Sequence, residues 1–436
     1  MDEIFHVPQA CSIFNGNFSH YDSAITTPPG LYVASLIYLN AMKGIRPIVY
    51  DSSICTLENL RLFNVLILSM LPIVSLAARK SVKRLLNLPY SSLTYVDCFQ
   101  AFLVSFNPIL FNVSFLYYTD CLSLLLMLAC FCLMSEHHTN SLARRLIAIL
   151  VFGFAIFVRQ DNIIWAGFFI FLNVKLVFPH RDGFTQMKTI NLAIRNIIDI
   201  VYSYFEWFLC VLMFIAYFVL LRNRQFVVGH SEHHKPVLHL MQIFYFTVFI
   251  SILQFPSLLA ILVKHIKRIA FISCLVIVLS LIALICIRYC TYEHIFLISD
   301  NRHISFYIWR RAIRIRHWSF KYLYSLIYAC GLILTFLNLL SSTNARIMFA
   351  FCISCIVYLS IHELLEFRYF IVPYSFYLIL SNNGRFSNSL NNIRSIQCVT
   401  LELAISLCIT LSTLWLFLKR PLYFDSNTNE TQRLMW

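Results

Sequence analysis

Acidic residues occur in five short polar segments of a mostly apolar chain, and three of these segments also contain Arg. Carboxylates accept protons in general-base catalysis, and Arg binds phosphate oxygens through a planar fork of N–H donors. Charged side chains next to a membrane are costly and usually functional. Such mixtures suit a site that holds an anionic phosphate beside a polyhydroxylated sugar. The segments are Asp2-Glu3, Tyr117-Tyr118-Thr119-Asp120, Val158-Arg159-Gln160-Asp161-Asn162, Ser299-Asp300-Asn301-Arg302-His303 and His362-Glu363-Leu364-Leu365-Glu366-Phe367-Arg368-Tyr369.

The composition indicates what kind of protein carries these segments. Of the 436 residues, 59% are hydrophobic and only 12% are charged, and the mean hydropathy is +0.73. Soluble globular domains carry roughly 25% charged residues. The chain is therefore predicted to be a polytopic membrane protein.

Apolar runs recur along the sequence at a length that can cross a bilayer. A spanning helix needs about 17–25 mostly apolar residues. The fold class predicted from these runs is all-α, with about a dozen transmembrane helices. The candidate spans are 60–78, 95–111, 119–135, 142–158, 162–178, 204–221, 237–258, 269–289, 321–340, 346–362, 367–381 and 398–418.

The net charge of +14 does not indicate a nucleic-acid partner. The basic residues flank the predicted spans, as the positive-inside rule expects of a protein whose partner is the lipid bilayer. The basic clusters at 79–84, 144–145, 175–195 and 264–268 then mark cytosolic loops. Residues 1–58 are consequently predicted to lie on the opposite, lumenal side.

Three regions are predicted within one structural unit. Residues 1–58 form a lumenal loop with the acidic motif and two short helices, residues 59–420 form the transmembrane bundle, and residues 421–436 form a polar, flexible tail. The chain has three N-glycosylation sequons, the first two of which fall on the side predicted to be lumenal. They begin at Asn17, Asn112 and Asn429.

Cysteine and histidine spacing does not predict a metal site. Most of the 15 cysteines lie in apolar runs, where buried thiols act as small hydrophobic side chains. A zinc site needs about four ligands in fixed geometry. The two candidate groups are a lone Cys-x-x-Cys within a span and a histidine-rich loop that is better explained as solvated. They comprise Cys352 and Cys355, and His230, His233, His234 and His239.

Each polar segment also has a purely structural explanation. Arg159 with Asp161, or Arg368 with Glu366, would form ion pairs that pin helix ends together. Asp120 would cap the helix that follows it. Residue types alone do not decide between these structural roles and a functional site.

The order of the motifs adds information that no single motif carries. They are Asp-Glu-Ile-Phe-His-x-Pro-Gln (2–9), Ile-Thr-Thr-Pro-Pro-Gly-Leu-Tyr (25–32), Tyr-Tyr-Thr-Asp (117–120), Val-Arg-Gln-x-Asn-Ile-x-Trp (158–165), Asp-Asn-Arg-His-x-x-Phe-Tyr-x-Trp-Arg-Arg (300–311) and Glu-Phe-Arg-Tyr-Phe-Ile-x-Pro (366–373). This combination resembles the dolichyl-phosphate-glucose-dependent α-1,2-glucosyltransferases of the endoplasmic reticulum. That family adds the third, terminal glucose to the lipid-linked oligosaccharide used for protein N-glycosylation.

The resemblance implies an architecture and a reaction. Such enzymes are multi-pass glycosyltransferases of the C superfamily, with a lumenal first loop and a lumenal active site. The donor is dolichyl phosphate glucose, the acceptor is a dolichyl-diphosphate-linked oligosaccharide that already carries two glucoses, and neither cofactor nor metal is required. A β-linked donor and an α-linked product imply one inverting displacement. The resemblance also implies an apolar segment of about 20 residues ahead of the acidic motif.

The resemblance also suggests roles for the polar residues. Asp2 is the expected general base for the acceptor hydroxyl, and Glu3 is the alternative base or an orienting group. Arg302, supported by His303, is the first candidate for the donor phosphate. The remaining expected substrate-binding residues are the second and third phosphate candidates, Arg368 and Arg159, together with the acids Asp120, Asp300 and Glu366.

Other functions are compatible with parts of this pattern. The first alternative is another polyprenyl-phosphate-sugar-dependent transferase of the same superfamily. A transporter or channel is disfavoured because the chain has only nine glycines and no evident similarity between its halves. A non-catalytic relative is disfavoured by the intact Asp2-Glu3 pair.

Overall fold

The computed structural model describes a helical protein, which confirms the predicted helical class. The described residues are 3–18, 21–45, 54–86, 93–135, 142–173, 194–195, 197–198, 201, 204–221, 237–314, 318–381, 389–424 and 427–436. Within them, one two-stranded hairpin accompanies the helices.

The helices are numbered in chain order. They are α1 (Glu3–Phe14), α2 (Gly30–Ile45), α3 (Leu57–Leu85), α4 (Tyr95–Ser105), α5 (Pro108–Ser114), α6 (Asp120–Ser135), α7 (Leu142–Val158), α8 (Ile164–Asn173), α9 (Phe205–Leu221), α10 (Met241–Leu253), α11 (Phe255–Lys264), α12 (Ile269–Tyr289), α13 (Ile295–Ser299), α14 (Ile304–Ile308), α15 (Trp318–Ser342), α16 (Ala345–Ser360), α17 (Ile371–Leu380) and α18 (Ser389–Lys419). Short 3₁₀ turns cover Gln160–Ile163, Ile266–Arg268 and Phe367–Phe370, and a π turn covers Trp309–Ile313.

Several of these helices are long and apolar enough to cross a membrane. In the described part of the chain there are four, at Leu57–Leu85, Ile266–Tyr289, Tyr322–Ser342 and Ser395–Lys419. The pairs α4–α5 and α10–α11 bend by 53° and 92°, and they raise the number to six if each pair is one span. The chain is therefore a multi-pass membrane protein, although this count is below the predicted dozen.

Proline and capping side chains explain the two bends. Pro108 begins α5, and the side chain of Asn107 accepts a hydrogen bond from the amide of Ile109 at 3.1 Å. Pro256 is the second residue of α11, where the amide of Ser257 donates to the Glu402 carboxylate of α18 at 3.2 Å. Proline removes a helical N–H, and a new helix start needs acceptors for its first amides. These contacts therefore stabilise both breaks.

Aromatic packing forms the centre of the bundle. Phe376 of α17 lies 4.8 Å from the ring of Trp165 and 5.5 Å from that of Phe168, both in α8. Phe131 of α6 lies 5.8 Å from Phe376. By contrast, Phe271 of α12 is 65% exposed, as expected for a lipid-facing helix.

Arg79 differs from its predicted position in a cytosolic loop. The helix α3 continues to Leu85, so Arg79 is fully buried within it. Its guanidinium lies 3.0 Å from the Asp97 carboxylate and donates to the carbonyl of Leu378 at 2.8 Å. Buried charges need partners in an apolar interior. This ion pair therefore joins α3, α4 and the end of α17.

The first region contains the two predicted helices, α1 and α2, and a feature that the sequence analysis missed. A disulfide joins Cys11 of α1 to Cys55, which precedes α3. The interpretation of the cysteines as buried hydrophobic side chains was wrong for this pair. The bond fixes α1 beside the start of the first long helix.

Two strands lie among the described residues of the predicted tail at 421–436. Strands β1 (Pro421–Phe424) and β2 (Asn427–Arg433) form an antiparallel hairpin, in which Pro421 pairs with Arg433. The chain then forms a backbone bridge between Met435 and His303. Backbone hydrogen bonds thus return the end of the chain to the bundle.

The disulfide yields a labelling prediction. In protein denatured in detergent, a thiol-reactive maleimide should label Cys11 and Cys55 only after reduction, because both sulfurs are bonded. The free thiol of Cys408 should react under the same conditions without reduction and serves as the control. Peptide mass spectrometry would show which cysteines carry the maleimide. Cys11→Ser should lower the free energy of unfolding by about 2–4 kcal/mol.

Two observations would contradict this bond. One is labelling of Cys11 in the untreated protein. The other is an additional loss of thermal stability when Cys55→Ser is combined with Cys11→Ser, because the second change has no bond left to break.

Candidate active site

Five of the predicted site residues line one cavity of about 400 Å³, namely Glu3, Asp300, Arg302, His303 and Arg368. Its walls come from α1, α3, α5, α18, the loop before α14 and the last residues of the chain. Segments that are distant in sequence therefore meet at one site.

Glu3 is held at the cavity by donors from two other parts of the chain. Arg61 of α3 donates to both carboxylate oxygens, through Nε to Oε1 at 2.9 Å and through Nη2 to Oε2 at 2.6 Å. The backbone amide of Tyr117 donates to Oε1 at 2.7 Å. A bidentate Arg–carboxylate contact fixes both distance and orientation. The first helix is thereby tied to α3 and to the loop before α6.

Arg61 is a cavity residue that the sequence analysis missed. A lone Arg at the beginning of a predicted span is a functional candidate by residue type. Its partner could not be predicted from residue types, because Glu3 lies 58 positions away.

Asp2, the predicted base, lies outside the described residues. Its neighbour Glu3 lines the cavity. The assignment of Asp2 as the base stays a prediction.

Arg302 is held at the cavity by Asp300. The guanidinium donates through Nε to Oδ1 at 2.7 Å and through Nη2 to Oδ2 at 2.5 Å, while the backbone amide of Arg302 donates to Oδ1 at 3.1 Å. Nε2 of His303 lies 3.6 Å from Oδ2. Burial raises the pKa of Asp300, but the hydrogen bonds from Arg302 and the nearby His303 outweigh burial and lower this pKa below its usual value. A quarter of the Arg302 side chain remains exposed.

Arg368 reaches the cavity from the 3₁₀ turn Phe367–Phe370. Its guanidinium pairs with Glu366, so the ion pair weighed from the sequence is present. The guanidinium also lies over the ring of Tyr118, 4.2 Å from its centroid, which is a cation–π contact. Glu366 itself does not line the cavity. It pairs with Arg368 and so holds that guanidinium at the cavity.

Arg159 belongs to a separate buried network. It pairs with Asp120, the first residue of α6, and lies 3.4 Å from Asp161. Asp161 in turn lies 3.8 Å from Nε2 of His362. The ion pair proposed from the sequence is present, but Asp120 rather than Asp161 is the closer partner. Neither Arg159 nor Asp120 lines the cavity.

Aromatic contacts connect this network to the cavity. His362 stacks on Tyr369 with their ring centroids 3.9 Å apart, and the guanidinium of Arg159 lies 5.8 Å from the centroid of Tyr369. Tyr369 directly follows Arg368 in the same turn. The network therefore supports the turn that carries Arg368.

The opposite side of the cavity is apolar. It is formed between α5 and α18 by side chains such as Phe115, Leu414 and Phe417. The side-chain amide of Asn112 donates to the hydroxyl of Thr413 at 2.9 Å and so joins the two helices. Asn112 is thus engaged within the bundle, which argues against glycosylation at that sequon.

No metal centre emerges from the described residues. Within the ranges that the structure describes, no three His, Cys, Asp or Glu side chains are arranged to hold a metal ion. His230, His233 and His234 lie outside those ranges. His239 is buried, and its Nδ1 lies 3.0 Å from the carbonyl of Glu363. The expectation that no metal or cofactor is required stays a prediction.

The fold and the cavity define a multi-pass membrane protein that presents paired charges beside an apolar groove. A family model described as the DIE2/ALG10 family matches residues 1–379. The chain belongs to this family.

Curated relatives match the chain over its whole length. A mouse protein is 30% identical over 475 residues, a human protein 29% over 483 and an Arabidopsis thaliana protein 27% over 509. Each match covers 100% of this chain and 93–94% of the relative. All three carry the name Dol-P-Glc:Glc(2)Man(9)GlcNAc(2)-PP-Dol alpha-1,2-glucosyltransferase. No solved structure is significantly similar to the chain.

The buried network yields a stability prediction. Asp120→Asn should lower the free energy of unfolding, because it leaves the largely buried Arg159 without its closest carboxylate. Breaking a buried pair costs about 3–5 kcal/mol, and Asp161 at 3.4 Å offsets part of this loss. Denaturation in detergent would measure the change.

The control is a more exposed pair of the same types. Arg145 and Glu206 have side chains that are 32% and 29% exposed, so Glu206→Gln should cost only about 0–1 kcal/mol. Equal losses in the two variants would contradict a special role for the buried network.

The Asp300 carboxylate yields a pH prediction. The pKa of Asp300 is lower in the folded protein than in the unfolded chain, where it is about 3.9. Its contribution to the free energy of unfolding is therefore present above the unfolded pKa and is lost as the pH falls through the folded pKa. Asp300→Asn should therefore reduce the melting temperature throughout the range from about pH 8 to pH 5. The difference should shrink only below about pH 4. A difference that vanishes between pH 7 and pH 5 would be inconsistent with an ionised Asp300–Arg302 pair.

Proposed function

We propose that this protein transfers the terminal glucose, in α-1,2 linkage and with inversion, from dolichyl phosphate glucose to the lipid-linked oligosaccharide that carries two glucoses. The observation that carries the proposal is the single cavity at which Glu3, Arg302 and Arg368 meet beside an apolar groove. The names of the mouse, human and Arabidopsis thaliana relatives support the same donor and acceptor.

The two cavity arginines suit the phosphate of the donor. Arg302 and Arg368 approach from different loops and are oriented by Asp300 and Glu366. Preoriented cations in a site of low dielectric stabilise charge that develops on a leaving group. In this reaction the bond from the glucose C1 to the phosphate oxygen breaks, and that oxygen gains negative charge.

The acidic motif suits the acceptor hydroxyl. Three N–H groups already bind the oxygens of Glu3, so we assign it to orienting the acceptor. Asp2 then acts as the base and takes the proton as the 2-hydroxyl oxygen bonds to C1. A general base of this kind typically contributes about 10²–10⁴-fold to the rate.

The apolar side of the cavity suits the dolichyl chain. Phe417 and Leu418 of α18 and Phe115 after α5 line it, next to the charged side. A lipid phosphate needs such a junction, because its head is anionic and its tail dissolves in the bilayer. The donor would therefore lie with its tail between α5 and α18.

The proposed location is the membrane of the endoplasmic reticulum, with the cavity facing the lumen. Disulfides persist in oxidising compartments such as that lumen, and Cys11–Cys55 lies in the same region as Glu3. In this arrangement residues 1–58 are the lumenal loop, residues 59–420 are a bundle of about a dozen spans, and residues 421–436 contribute to the cavity.

A reconstituted transfer reaction tests this function. The full chain is supplied with dolichyl phosphate glucose and the acceptor that carries two glucoses, and mass spectrometry follows the gain of one hexose. An acceptor with one glucose serves as the specificity control. The proposal fails if the wild-type protein adds no third glucose while a curated relative is active in parallel.

Three substitutions assign the roles within the same assay. Asp2→Asn should lower kcat by about 10²–10⁴-fold, and Arg302→Ala should nearly abolish transfer. Glu3→Gln should be less severe than Asp2→Asn, because an amide keeps part of the hydrogen bonding. Arg310→Ala is the matched control, because Arg310 is exposed and does not line the cavity. A larger loss for Glu3→Gln than for Asp2→Asn would reverse the assignment of the base.

A further inference from the structure

We propose that residues 434–436 form a positioning element for the donor, which holds the two arginine-bearing loops at the cavity. This inference rests on the proposed function. All three residues line the cavity, although they lie more than 130 positions from Arg302 in the sequence.

The element contacts the first arginine loop through its backbone. The amide of Met435 donates to the carbonyl of Arg302 at 2.7 Å, and the amide of Ile304 donates to the carbonyl of Met435 at 2.7 Å. Nδ1 of His303 also lies 3.0 Å from the carbonyl oxygen of Trp436. These contacts hold Arg302 from the backbone side, while Asp300 holds its side chain. The position of the guanidinium therefore depends on Met435.

The element contacts the second arginine loop through a ring. Trp436 packs edge-on against Phe367, with their ring centroids 5.7 Å apart. Phe367 directly precedes Arg368 in the 3₁₀ turn. A phosphate bound by both arginines requires a fixed distance between their loops, and residues 434–436 contact both.

The hairpin explains how the chain reaches this position. β2 runs antiparallel to β1 and returns the chain toward the end of α18. There Nη1 of Arg433 donates to the carbonyl of Leu418 at 2.8 Å. A basic side chain at a helix C-terminus binds carbonyls that have no helical partner. Residue 434 thus begins at a fixed point beside α18.

The test is a kinetic comparison in the full-length protein. Met435→Pro removes the amide that donates to Arg302, whereas Met435→Ala keeps this amide and removes only the side chain. Met435→Pro, and deletion of residues 434–436, should raise the KM for dolichyl phosphate glucose by about tenfold or more. The KM for the acceptor should stay within about twofold, and Met435→Ala should have the smaller effect on the donor.

Trp415→Ala is the control for the loss of a tryptophan. Trp415 lies on α18, is 54% exposed and does not line the cavity. A Trp436→Ala variant should raise the KM for the donor, and Trp415→Ala should not.

The outcomes separate the two proposals. A wild-type protein without transfer activity refutes the proposed function. An active wild type, with a donor KM that the deletion and Met435→Pro leave within about twofold, refutes the positioning element. An equal rise of the donor and acceptor KM would also refute it, because a general loss of structure does not distinguish the substrates.

Discussion

The carboxylate of Glu3 is the contact on which the arrangement of the cavity depends. It joins α1 to α3 through the two donors of Arg61, and it joins α1 to the loop before α6 through the amide of Tyr117. A charge in this position must be compensated, because an unpaired carboxylate beside an apolar bundle is strongly destabilising. The Cys11–Cys55 bond restrains the other end of α1, so this helix is held at two points.

The cavity combines two environments that a lipid-linked substrate needs at once. On one side, Arg302 and Arg368 each carry a carboxylate partner and a partly exposed guanidinium. On the other side, helices α5 and α18 present apolar side chains. Behind the charged side, Arg159 is paired with Asp120 and Asp161 in a largely buried network. Of the three candidate arginines, Arg302 and Arg368 therefore line the cavity. Arg159 lies outside it and supports it through its contact with Tyr369.

Both ends of the chain contribute to this site. Glu3 comes from the first helix, and residues 434–436 come from the segment after the hairpin. Arg302 lies in the short segment 300–303 between α13 and α14, and such a segment needs outside restraint to position a phosphate ligand. Backbone bonds from Met435 to the Arg302 loop and the ring contact of Trp436 with Phe367 supply that restraint. A site assembled in this way depends on the fold of the whole chain rather than on one motif.

The sequence by itself determined the membrane class, the helical fold, the family resemblance and five charged or polar residues that line the cavity, because hydrophobic runs and motif order are local properties. It also identified the pair Arg368–Glu366, whose members are two positions apart. Only the tertiary structure decided that Arg61 binds Glu3, that Arg79 is buried against Asp97, and that Cys11 bonds to Cys55. The sequence likewise did not predict that Arg159 lies outside the cavity or that Met435 lines it and bonds to the Arg302 loop. The physical reason is that a charge or a thiol finds its partner across space, and the packing of distant helices decides which partner that is.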